Sequence, residues 1–77
     1  MKFIEVNENK MEGLPVLMKR RITISQILSE IADNFTPEDV EEDLNLDIGE
    51  VTGMLLEIAD LFKSKDFVEF LKGLKAD

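Results

Sequence analysis

The sequence predicts a mainly α fold of three to four helices, with a helix-turn-helix unit at its centre and a short β-strand pair at its N-terminus. Three observations carry this. Apolar residues recur at intervals of three and four in the stretches 24–31, 48–62 and 67–74. Capping residues stand ahead of these stretches and ahead of a further short helix at Pro37. Before Thr23 the pattern changes to two short β-forming runs around a polar loop.

Lys2 to Val6 (KFIEV) reads as the first strand, with Phe3, Ile4 and Val6 apolar. Asn7 to Gly13 (NENKMEG) is polar, closes on glycine and reads as a loop. Leu14 to Met18 (LPVLM) follows. Pro15 cannot donate to a ladder, so any strand here begins at Pro15 or lies at an edge. Thr23 and Gln26 have capping-box spacing and open the first helix. Ile24, Ile27, Leu28 and Ile31 form its apolar face, and the helix should end near Asp33 or Asn34.

Thr36 is placed to cap a second helix over residues 37 to 44, with Pro37 where a missing N–H costs nothing. Phe35 and Val40 have the spacing of a hydrophobic staple, and Glu38 and Asp39 complement the helix dipole. Asp47 and Glu50 repeat the capping logic for a third helix, with Leu46 and Val51 as its staple. Its apolar run is Ile48, Val51, Leu55, Ile58 and Phe62, with Met54 and Leu61 beside it. Gly49 and Gly53 each weaken it by about 1 kcal/mol relative to alanine. Gly53 is either a point of close helix approach or a tolerated surface position. Only Asn45 and Leu46 separate the two helices, which forces a sharp turn. Beyond Phe62, Asp66 and Glu69 can start a fourth helix, or the third runs on through Lys63. The terminal Lys-Ala-Asp is expected to fray.

Seventy-seven residues make one domain. It divides into the strand pair and basic turn (1–22), the helix and helix-turn-helix core (23–63) and the C-terminal helix (64–77). A chain this size buries only about 60–65% of its unfolded surface. The sequence has neither cysteine nor histidine, which removes disulfides, thiolate metal sites and the usual neutral-pH base. A homodimer is expected on these grounds. No apolar run approaches the roughly 20 residues of a membrane span. The N-terminus lacks signal-peptide character, so a cytoplasmic location is expected.

Charge is unevenly placed. Residues 25–62 hold eleven acidic and no basic side chains, within a chain of net charge −8. Lys19, Arg20 and Arg21 form the only basic cluster and are the candidate nucleic-acid contacts. They could equally be a solvated turn, or meet an acidic helix of the same or a second chain. Phe67, Phe70, Leu71 and Leu74 make one apolar stripe and are the candidate partner interface. The same stripe could instead close the protein's own core or a dimer. No catalytic residue, cofactor site or metal site is identified. Glu38, Asp39, Glu41, Glu42 and Asp43 read as a solvated acidic face, without EF-hand spacing.

The order of motifs resembles a family of small bacterial and archaeal proteins, domain of unknown function 433. Gly13-Leu14-Pro15-Val16-Leu17 is similar to the family's Gly-x-Pro-x-Ile segment. Arg21-Ile22-Thr23-Ile24 resembles the end of its Gly-Thr-Arg-Ile-x-Val segment. Thr36-Pro37-Glu38-Asp39-Val40 and Glu50-Val51 resemble its Ser-Pro-Glu-Glu and last-helix motifs. Lys19-Arg20 replace the Gly-Thr, and the Tyr-Pro pair before the last helix is missing. The resemblance implies a homeodomain-like core and a link to type II antitoxins. Such proteins bind DNA with one part and a toxin, often a PIN-domain ribonuclease, with a C-terminal part. The sequence therefore leads to a non-enzymatic module that binds a partner protein through its C-terminal helix, with a DNA-binding autoregulator using Lys19–Arg21 as the alternative.

Overall fold

The computed structural model describes residues 1–33 and 35–74. The fold is mainly α with a small N-terminal β hairpin, as the sequence predicts. Strands β1 (Ile4–Glu5) and β2 (Val16–Leu17) pair antiparallel, with Ile4 opposite Leu17 and Glu5 opposite Val16. A 3₁₀ turn at Met11–Gly13 closes the loop between them. Pro15 stands before β2, and its carbonyl accepts the Ile24 N–H at 3.0 Å. A second tight turn follows β2. Leu17 O accepts the Arg20 N–H at 2.9 Å, and Ile22 O accepts the Leu17 N–H at 3.0 Å. Lys19 takes the left-handed conformation there, with φ 64°.

Helix α1 (Ile24–Ala32) starts where Thr23 Oγ1 accepts the Gln26 N–H at 3.1 Å. Its C-terminus closes by the Phe35 N–H donating to Glu30 O. Asn34, the expected stop residue, lies outside the described residues, as does the terminal Lys75-Ala76-Asp77. Helix α2 (Pro37–Asp43) has a complete capping box, in which Thr36 and Asp39 each accept the other's backbone N–H. It ends in a Schellman arrangement. Leu46 N–H reaches Glu41 O at 2.8 Å and Asn45 N–H reaches Glu42 O at 3.3 Å, with Asn45 left-handed.

Helix α3 (Glu50–Leu61) begins later than the sequence predicts. Glu50 does reach back to the Asp47 N–H at 2.7 Å, but Gly49 is the N-cap, at φ 90°. Ile48 therefore lies in the turn, fully exposed, and is not part of the apolar face. The helix also stops at Leu61. Ser64 Oγ accepts the Phe67 N–H at 3.2 Å and starts a separate helix, α4 (Lys65–Lys72). The capping residue is Ser64, where sequence spacing pointed to Asp66.

The core gathers Leu17 from the hairpin, Ile24 and Ile27 from α1, Val40 from α2, and Val51 and Met54 from α3. Leu28 does not join it: it is 41% exposed although its spacing matches that of Ile24 and Ile27. The hairpin seats on α3 through two contacts one helical turn apart. Phe3 lies over Gly53, where a β-carbon would come within 2.6 Å of its ring. Glu57 accepts the Lys2 N–H at 2.7 Å and the Phe3 N–H at 2.9 Å.

Candidate functional site

The basic cluster occupies the tight turn after β2, and its three side chains have different surroundings. Arg20 Nη2 lies 2.7 Å from Glu50 Oε2, with Asp47 also within 3.7 Å. Glu50 opens α3 and Asp47 lies in the turn just before it, so Arg20 pins the basic turn onto the start of that helix. Burial pushes the Glu50 pKa up, but the Arg20 hydrogen bond, the Asp47 N–H and the Arg20 charge outweigh it and hold the carboxyl below its ordinary value. The Lys19 N–H donates to Glu5 Oε1 at 2.8 Å, and Lys10 Nζ shares that oxygen at 2.9 Å. These contacts, with the Lys10 hydrogen bond foremost, lower the Glu5 pKa. The Lys19 and Arg21 residues are exposed. The cluster thus contributes one internally paired cation and two exposed ones.

The acidic helices are not uniformly solvated. Glu38, Asp39, Glu42 and Asp43 are exposed, but Glu41 is only 6% exposed. Its Oε2 accepts the N–H of Gly49 at 3.0 Å and of Val51 at 2.9 Å. The start of α3 is therefore capped by a side chain from α2. The reading of Glu41 as part of a wet face is corrected. The available signal was the glycine at the cap position: it offers no side-chain acceptor, so the first N–H groups of α3 need one from elsewhere. Glu30 on α1 also departs from the solvated picture. Its Oε2 is buried without a hydrogen-bond partner among the described residues. Burial, then the proximity of Asp43, raises its pKa. Among the described residues no group of three or more carboxylates is arranged to hold a metal ion.

Of the candidate partner interface, Phe67, Phe70 and Leu71 lie on α4, whereas Leu74 falls just past the end of the helix, which stops at Lys72. Among the described residues none in this helix is buried. Phe70 and Leu74 are exposed, while Phe67 and Leu71 are half-buried. The Phe67 ring meets Phe62 edge-on at 4.9 Å and stacks with Phe70 at 6.0 Å. The three rings form a continuous aromatic strip across the break between α3 and α4. Lys72 pairs with Glu69 at 3.2 Å.

A second apolar surface was not anticipated from the sequence. An open groove of about 660 Å³ lies between the hairpin, α1 and the end of α3. Ile4, Leu14, Leu28, Ile58 and Leu61 line it. Among the described residues no helix is long and apolar enough to cross a membrane.

The class defined by this architecture is a small, mainly α protein with an N-terminal β hairpin. Within that class the chain belongs to the DUF433 family, described as proteins of unknown function, whose family model matches residues 4–56. The matched span runs from β1 into α3 and stops short of α4. No curated protein and no solved structure matches the chain significantly.

Proposed function

We propose that this protein is a non-enzymatic, cytoplasmic interaction module resembling a type II antitoxin, and that it captures a partner protein through α4. The observation that carries the reading is the unburied stripe of α4. Its apolar residues are concentrated on one face, yet Phe70 on the helix and Leu74 just past its end remain 60% and 57% exposed. An amphipathic helix with that face open fits a hydrophobic groove on a partner. The helix also follows the span matched by the family. A PIN-type toxin is the partner class that the antitoxin resemblance suggests.

A second reading, a DNA-binding autoregulator, draws on Lys19 and Arg21 at the tip of the turn, with α2 and α3 as a homeodomain-like helix-turn-helix. It is the weaker of the two. Arg20 already serves Glu50, and α2 and α3 carry no basic residue with which to approach phosphate.

The test is affinity capture from lysate of the host at moderate salt, with and without nuclease. Wild-type protein should retain a stoichiometric protein partner after nuclease treatment. Phe70→Asp with Leu74→Asp should lose it while keeping its helical spectrum. Full-affinity capture by that variant overturns the assignment to α4. Retention of nucleic acid alone transfers the role to Lys19 and Arg21.

A further inference from the structure

We propose that the groove between the hairpin, α1 and the end of α3 is a homodimer interface, occupied by the same face of a second copy of this chain. The argument rests on charge. A two-fold contact sets each surface patch against its own copy. For a chain of net charge −8, a pairing through its acidic faces opposes carboxylates to carboxylates. The α2 face would bring together Glu38, Asp39, Glu42 and Asp43, all exposed. The groove escapes this penalty, because none of the described residues lining it has a charged side chain. In a sequence that is 34% charged, a lining without charged side chains among the described residues is a face where self-pairing sets no carboxylate against a carboxylate.

Apolar content supplies the attraction. Met1, Val6, Leu14 and Leu28 line the groove and are between 41% and 65% exposed. Leu28 has the helical spacing of a core residue but stays 41% exposed among the described residues. A second copy set two-fold on this face covers all four. The described lining comes from the hairpin, α1 and α3, so the α4 stripe stays open. The dimer would present two such helices to a partner. The inference is independent of what α4 binds.

The test is sedimentation velocity on the full chain, up to high micromolar concentration. Wild type should sediment as a dimer. Leu28→Glu places a carboxylate in the pairing face and should raise the dimer Kd about thirtyfold or more, the loss expected of an interface anchor. Leu14→Glu on the hairpin side should do the same, and both should keep the wild-type circular dichroism. Phe70→Glu on α4 should leave the dimer intact. A monomeric wild type, or a dimer that persists in both groove variants, overturns the proposal. So does a dimer broken by Phe70→Glu and not by Leu28→Glu.

Discussion

The Phe3 ring fills the space that a side chain at Gly53 would need. A β-carbon there would stand 2.6 Å from two ring atoms. Phe3 cannot retreat freely, because its backbone N–H is held by Glu57 one turn further along α3. Two effects of Gly53→Ala therefore oppose each other. Helix propensity favours alanine by about 1 kcal/mol. Overpacking against a fixed ring costs about 1–3 kcal/mol. The clash should win, and Gly53→Ala should lower stability in denaturant titrations. In a Phe3→Ala background the same change should become stabilising. Equal effects in both backgrounds would show that the ring does not set the requirement for glycine.

Glu41 and Glu42 are neighbours in sequence with opposite roles. Glu41→Ala removes the acceptor for the Gly49 and Val51 N–H groups and should cost about 1–3 kcal/mol. Glu42→Ala, at an exposed position, should stay within about 0.5 kcal/mol of wild type. Glu41→Gln retains one oxygen and should fall between them. Chemical denaturation of the three variants checks the order.

Glu30 gives stability a distinctive pH dependence. Its folded-state pKa lies above the ordinary 4.5, through burial and then the nearby Asp43. Over that interval the folded chain holds a proton the unfolded chain has lost, so stability should rise as pH falls from neutral towards 4.5. Glu5 and Glu50 act in the opposite sense. Their pKa values are lowered, so the stability they provide is complete above 4.5 and is lost as pH falls further through the lowered values. Glu30→Gln should raise stability at neutral pH and abolish the gain on mild acidification. An unchanged slope in unfolding midpoints across this range would remove Glu30 from the account.

The basic turn offers a test that separates architecture from ligand binding. Arg20→Ala should lower the thermal midpoint, because it frees the turn from Glu50 and Asp47. Arg21→Ala should not. If nucleic acid is bound at all, Arg21→Ala should weaken it and reduce its salt dependence without changing the midpoint. Matching losses of stability in both variants would contradict the division of labour described here.

Local signals were legible in the sequence at α1 and α2, where each capping residue's partner is close along the chain. The Thr23 and Thr36 caps, Pro37 at the helix start and the turn at Asn45 all act within a few residues. Each appears where its spacing placed it. Contacts between elements were not legible. Glu41 reads as one of five carboxylates on a short helix, and only the fold brings it under Gly49 and Val51. Glu57 likewise gives no sign that it will hold the backbone of Lys2 and Phe3. Ile48 misled because it lies three residues before Val51, the interval of a helical face, while Gly49 delays the helix past it. Of the candidate surfaces, the α4 stripe was visible because amphipathic spacing is local. The groove was not, since its lining comes from separated segments.

The clasp of Glu57 on Lys2 and Phe3 also bears on the order in which the chain assembles. It joins residues 54 and 55 positions apart, whereas the turns joining α1, α2 and α3 are only a few residues long. Closing the larger loop costs more chain entropy and is repaid only once α3 exists to receive the strand. The helices should therefore condense first, with β1 docking after the transition state. Phe3→Ala should then accelerate unfolding and leave the refolding rate nearly unchanged, whereas Val40→Ala in the helical core should slow refolding. The strand that is synthesised ahead of the helices would be among the last elements to find its place.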